Sequence, residues 1–230
     1  MKILAIDTST KTMCVGISDG AREWEYDIEY ATKLSRCCVP AVGRILAALS
    51  WKPADVDVFA CGLGPGSFTG IRIGMACIKG LAWATGKPVC GVPTLDTIAM
   101  NAPPDSGACA VALDAKRGLF YCSVYTVTEG AVKRLMPYQL LSAADFLKAM
   151  GKKFKRLDKV SLLGDGIPLL KQQLAGTGFG AMRLLDSDYW KPRGHNCVLL
   201  ARRIAGEKKG LSDAFRVNPI YLYPKECQIR

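Results

Sequence analysis

Residues 61–84, CGLGPGSFTGIRIGMACIKGLAWA, constrain the fold more than any other part of the chain. The apolar run 58–63 predicts a strand, which breaks into a loop of two glycines and a proline before a helical stretch begins. Gly64, Pro65 and Gly66 impose a tight turn, because glycine reaches positive φ without steric cost and proline fixes φ near the turn value. Ser67 or Thr69 then caps the helix by accepting from its first free N–H groups. The helix carries only Arg72 and Lys79 as charged residues, on one narrow stripe. A helix that is apolar round the rest of its circumference needs cover on more than one side. Its small residues also fall in register: Gly70 and Gly74 are four apart, and Ala76, Gly80 and Ala84 form a second track. One direction of close approach is the sheet of its own domain and the other is a second helix or a partner chain; a glycine-rich core helix is the alternative. Each helical glycine costs about 1 kcal/mol against alanine, so three of them favour a packing role.

The chain opens with a strand over 2–6 that ends in Asp7-Thr8-Ser9-Thr10. A second strand over 12–18 and, after the Asp19-Gly20 turn, a third over 22–30 make an antiparallel meander. A doubly wound dinucleotide fold does not begin this way. A helix follows over 34–49, with Val39, Val42, Leu46 and Leu49 at three-four-three spacing and Pro40 inside it as a kink or first firm turn. Strands at 56–63 and 88–92 and a short helix capped by Thr94 complete the order βββαβαβα. Two prolines and a glycine within 101–107 mark a boundary, which predicts domains over 1–103 and 104–230. Strands at 109–113, 119–127 and 131–136 begin the second half, followed by a helix opened by a capping box at Ser142 and Asp145. A strand at 160–163, the turn Gly164-Asp165-Gly166, a helix, a short strand at 182–185 and a helix over 196–206 repeat the first half's order.

Composition narrows the function classes. Half of the 230 residues are hydrophobic, enough for a substantial core. No apolar run approaches the roughly 18 residues a bilayer requires, and no leader precedes the first strand, so a cytoplasmic protein is expected. The ten cysteines are scattered through predicted strands and helices, which points to buried reduced thiols. There is no CxxC pair and His195 is the single histidine, so no metal site is expected. The net charge of +11 permits attraction to nucleic acid, but the densest basic group, Lys148, Lys152, Lys153, Lys155, Arg156 and Lys159, reads as a solvated helix end and loop. The loop 64–70 fits neither GxxxxGK[ST] nor GxGxxG; a turn that positions the helix is expected, with anion binding at the free N–H groups of the helix start as the alternative.

The duplicated order resembles the actin/hexokinase/Hsp70-like (ASKHA) class, an α/β fold of two domains. That resemblance implies phosphate-binding Asp-x-Gly-[Ser/Thr] turns after the first strand of each half. Here Asp7, Thr8 and Ser9 are the candidates for nucleotide contact, with serine where the class has glycine, and Asp114-Ala115-Lys116-Arg117-Gly118 matches poorly. Weak ATP binding or none is expected, and no cofactor.

A closer resemblance rests on Ile6-Asp7-Thr8-Ser9-Thr10, the run GLGPGSFTGIRIG over 62–74, Leu113-Asp114-Ala115-Lys116-Arg117-Gly118 and Asn218-Pro219-Ile220-Tyr221-Leu222. These are similar to the TsaB (YeaZ) family along the whole chain. The resemblance implies a part in forming N6-threonylcarbamoyladenosine next to the anticodon of tRNAs that read codons starting with A. It implies a non-catalytic platform for the TsaD transferase, which binds metal through His-x-x-x-His, with the ATPase TsaE joining the pair. The family often has a histidine near Ser35, where this chain has Arg36-Cys37-Cys38. The partner surface is expected on the two helices, at Val39, Val42, Leu46, Leu49, Ile71, Gly74, Met75 and Ile78, and a homodimer through the same surface when TsaD is absent. Contact with tRNA is expected through the complex. No catalytic residue is assigned. An active ASKHA-fold kinase or transferase, or a peptidase acting on its partner, are the alternatives.

Overall fold

The structure, a computed structural model, describes residues 1–29, 34–207 and 210–223. Tyr30, the expected end of the third strand, and Cys227 lie outside the described residues. The chain divides into two units, Met1–Thr97 with Pro192–Ile220, and Ile98–Lys191 with the described residues 221–223.

The first unit holds β1 (Ile3–Asp7), β2 (Thr12–Ser18), β3 (Glu23–Glu29), α1 (Leu34–Ala48), β4 (Val58–Gly62), α2 (Phe68–Thr85) and β5 (Val89–Val92). A short helix, α3 (Thr94–Ala99), closes the first run. The second unit repeats that order with β6 (Ala108–Asp114), β7 (Leu119–Thr128), β8 (Ala131–Ser142), α4 (Ala143–Lys153), β9 (Val160–Leu163), α5 (Ile167–Gln173) and β10 (Arg183–Leu184). Two more elements, α6 (Gly194–Gly206) and β11 (Leu211–Ser212), end the described chain. The sheets run β11-β5-β4-β1-β2-β3 and β10-β9-β6-β7-β8. Strand for strand the two are the same design: a meander, then two parallel strands added beside its first member. The expected ASKHA duplication is therefore the architecture.

The expected domain limits need one correction. Instead of staying with the second half, residues 192–220 join the first unit, where β11 pairs with β5 and α6 packs on the sheet. The physical cause is that the first sheet is apolar on both faces. Leu4, Ile6, Met13, Val15, Ile17, Phe59 and Cys61 face α1 and α2, while Ile3, Ala5, Cys14, Val58 and Ala60 face Cys197, Val198, Ala201 and Ala205 of α6. Without α6 the second set would lie bare, whereas burial removes it from water at about 25 cal/mol per Å². Small residues bring the helix close: a Cβ on Gly16 would stand 2.0 Å from the Gly194 carbonyl oxygen, and one on Gly194 2.4 Å from that of Val15. The Glu25 carboxylate accepts from the Gly194 N–H at 2.7 Å, satisfying a free donor at the start of α6.

In the second unit α4 turns Ala143, Phe146 and Met150 onto the sheet and α5 adds Ile167 and Leu170. Ser142 caps α4 as expected, accepting from the Asp145 N–H at 3.2 Å. The strand after the Gly130 turn runs on to Ser142, six residues beyond the predicted end at 136. Pro137 is tolerated there because β8 is an edge strand and Pro137 falls at a register shift, between the pairs Gln139–Cys122 and Met136–Val124. Similarly α1 continues through Pro40, which sits on its exposed side.

Candidate functional site

The turn after β1 and the loop before α2 form one knot. Asp7 is fully buried. Its Oδ1 accepts from the Ser9 N–H at 2.8 Å and from the Ser9 hydroxyl, and its Oδ2 accepts from the Thr94 hydroxyl at 2.6 Å. Thr94 in turn accepts from the Gly64 N–H, and the Ser67 N–H donates to the Ser9 carbonyl at 2.7 Å. The Thr8 hydroxyl donates to the Gly70 carbonyl. Burial pushes the Asp7 carboxyl above its ordinary range, against the pull of the Ser9 and Thr94 hydrogen bonds.

The motif glycines are the mould for this knot. A Cβ on Gly62 would stand 2.3 Å from the Asp7 carboxylate, on Gly66 2.4 Å from the Ser9 carbonyl oxygen, on Gly70 2.1 Å from that of Thr8, and on Gly74 2.2 Å from the Thr8 hydroxyl. The track Gly70–Gly74 therefore admits the β1–β2 turn of the same chain, not a partner, and Gly74 leaves the expected partner surface. Ser67 is the cap of α2, accepting from the Gly70 N–H at 3.2 Å. Of Asp7, Thr8 and Ser9, the candidates for nucleotide contact, the Asp7 oxygens and the Thr8 hydroxyl are all engaged within the chain.

The counterpart in the second unit is also closed on itself. Asp114 accepts from the Lys116 N–H at 2.7 Å and pairs with the Lys116 ammonium, and Asp165 accepts from the Asp114 N–H. Gly164 has φ of 116°, and its Cβ would stand 2.1 Å from the Ala112 carbonyl oxygen. The turn Gly164-Asp165-Gly166 thus seats α5 on β6.

Five residues of the expected partner surface are in the first unit's own core. Val42, Leu46, Ile71, Met75 and Ile78 are all buried among β1, β2 and β4, and Leu49 packs half-buried against them. The three-four-three row marks the face that α1 turns to its sheet; periodicity shows that a face is covered and leaves open by what. Val42→Glu would consequently test folding rather than docking. Val39 is different, at 59% exposure.

Beside the exposed Arg36, Arg44 and Arg72, what α1 and α2 show to solvent is a strip of small residues. From α1 it takes Val39, Gly43 and Ala47, and from α2 Ala76, Gly80 and Ala84, beside Trp83 at 71% exposure. A Cβ on Gly43 or Gly80 would meet nothing within 4 Å. Beneath the strip the thiols of Cys38 and Cys77 are hydrogen-bonded between the two helices, and that contact with burial drives the Cys38 thiol far up. Gly43 and Ala47 were missed in the sequence. Their signal was a four-residue spacing from Val39 that matches the Ala76–Gly80–Ala84 track.

The remaining chemistry-bearing groups are quiet. The nine described cysteines are free, and burial pushes Cys61, Cys90 and Cys109 to about 12, which leaves inert thiols. His195 Nδ1 pairs with Glu23, whose other oxygen accepts from Arg202, while the Ser18 hydroxyl accepts from Arg202 as well. Among the described residues no group of three or more metal-ligating side chains is found, and no helix is long and apolar enough to cross a membrane.

Residues 29–215 match a family model described as TsaD, tRNA N6-adenosine threonylcarbamoyltransferase. A Bacillus subtilis protein described as the tRNA threonylcarbamoyladenosine biosynthesis protein TsaB is 34% identical over 100% of this chain and 97% of its own length. The chain belongs to the TsaB family. An Escherichia coli protein of the same description is 37% identical over 57% of this chain and 58% of its own length. Two solved structures from Pseudomonas aeruginosa share the fold. One, described as YeaZ, has a TM-score of 0.78 at 23% identity, and the other, described as similar to the peptidase YeaZ, 0.80 at 24%. Each covers 96% of this chain and is itself covered to 99%.

Proposed function

We propose that this chain is a non-catalytic platform subunit in the formation of N6-threonylcarbamoyladenosine on tRNA, acting in the cytoplasm and docking the TsaD transferase on the outer strip of α1 and α2. The observation that carries this reading is the pair Gly43 and Gly80. Both are exposed inside helices and both look onto open space. A helix-interior glycine costs about 1 kcal/mol against alanine, and nothing among the described residues requires one at either place. A close helix-to-helix approach by a partner does. Trp83 and Val39 supply apolar area at the rim of the same strip, with the exposed Arg36, Arg44 and Arg72 on the same two helices. A second copy of the chain fits the strip by the same logic when TsaD is absent, and a TsaE ATPase joins the TsaD-bound pair.

The self-satisfied Asp7 supports the absence of catalysis by this chain. A phosphate or magnesium ion arriving there would have to displace Ser9 and Thr94 from a buried carboxylate. ATP is therefore expected to bind the isolated chain with Kd in the millimolar range, about 4 kcal/mol of binding free energy, when titrated by calorimetry. A micromolar Kd would favour the kinase reading. The function itself is tested by incubating the purified chain with threonylcarbamoyl-adenylate and tRNA. Unmodified tRNA is expected until TsaD is added, and modification by the chain alone would overturn the platform reading.

A further inference from the structure

Residues 148–159 hold six basic side chains, Lys148, Lys152, Lys153, Lys155, Arg156 and Lys159, against one acid, Asp158. That excess of five sits in a chain whose whole net charge is +11. All six are exposed, because α4 buries Phe146 and Met150 and the segment after it is anchored by half-buried Phe154 and Leu157. The acid is already engaged: Asp158 takes both guanidinium bonds of Arg156, at 2.6 and 3.1 Å. Among the described residues no carboxylate forms an ion pair with Lys148, Lys152, Lys153 or Lys155.

Helix electrostatics account for only part of this ridge. Lys152 and Lys153 are in the last turn of α4, where cations offset the partial negative charge of the free carbonyls. Lys148 lies one turn earlier and repels Lys152 across an i,i+4 spacing, and Lys155 and Lys159 lie beyond the helix. An anionic membrane is a poor match, because surface-seeking basic segments carry exposed apolar side chains beside the lysines. Among the described residues the large exposed apolar side chains are Met1, Val39, Trp83 and Phe215, none of them in this ridge. A polyanion with closely spaced charges fits a run of lysines, Lys148, Lys152, Lys153 and Lys155, that no carboxylate among the described residues neutralises.

We propose that the 148–159 ridge is this chain's own contact with the phosphate backbone of tRNA. The inference rests on the reading that the chain works in tRNA modification, and adds a direct, sequence-independent RNA contact outside the docking strip.

The test compares Lys152→Gln/Lys153→Gln/Lys155→Gln with a control of equal charge change, Lys11→Gln/Lys52→Gln/Lys171→Gln. Affinity for tRNA is measured between about 50 and 200 mM salt, for the full chain alone and for its complex with TsaD. The ridge variant is expected to lose tenfold or more at the lower salt, with a salt slope shallower by about two to three, and the control to keep wild-type slope. Wild-type binding by the ridge variant, or an equal loss in the control, would overturn the proposal. So would phosphatidylserine vesicles that sediment the wild type but not the ridge variant while tRNA binding is unchanged. Co-purification with TsaD separates the two readings: a wild-type chain that fails to co-purify sinks the platform, while tRNA binding by the isolated chain still decides the ridge.

Discussion

Gly70→Ala is expected to lower the thermal midpoint by roughly 4–12 °C, whereas Gly80→Ala, ten residues along the same helix, is expected to raise it by about 2–4 °C. The signs differ because the two glycines face different things. A methyl group on Gly70 would stand 2.1 Å from the Thr8 carbonyl oxygen, which is backbone and tied into the Asp7 knot. Relief requires moving the β1–β2 turn or the first turn of α2. Overpacking of this kind costs about 2–3 kcal/mol, and in a chain of this size each kcal/mol moves the midpoint by about 2–4 °C. A methyl group on Gly80 meets nothing within 4 Å, so only the gain in helix propensity, about 1 kcal/mol, remains. Thermal denaturation followed by circular dichroism reads both. A Gly70→Ala midpoint at or above that of wild type would mean that the knot does not require Gly70 as described.

The element order was legible because the strands are strongly marked. β1, β2 and β4 are buried along their whole length, and their runs of Ile, Val, Leu, Phe and Cys stand out between turns at Asp7–Thr10, Asp19–Gly20 and Gly64–Gly66. What could not be read was which surface each apolar or small residue meets. Gly74 and Gly80 look alike in sequence, yet one holds the Thr8 hydroxyl and the other looks onto open space. Val42, Leu46, Met75 and Ile78 have the spacing of an interface and are core. The return of α6 to the first sheet escaped for a related reason. It depends on Gly16 against Gly194 and on Cys197 and Ala201 against Cys14 and Ala60, small contacts between distant segments that carry no periodic signal of their own.

The double variant Gly43→Arg/Gly80→Arg separates docking from folding more cleanly than any core substitution. Both positions are exposed, open and helical, so the arginines are accommodated in the free chain and improve helix propensity. At an interface the same side chains hold the partner helices apart and leave two cations buried without partners, where removing a charge from water costs several kcal/mol. A loss of at least about 100-fold in TsaD affinity is expected, equivalent to about 2.8 kcal/mol or more. Titration of TsaD with the double variant, beside wild type and beside the core-neutral Gly80→Ala, is the most direct measurement of the platform claim. A folded double variant that binds TsaD at least 100-fold more weakly than wild type is the predicted result, and wild-type affinity for a variant shown to be folded would contradict the account.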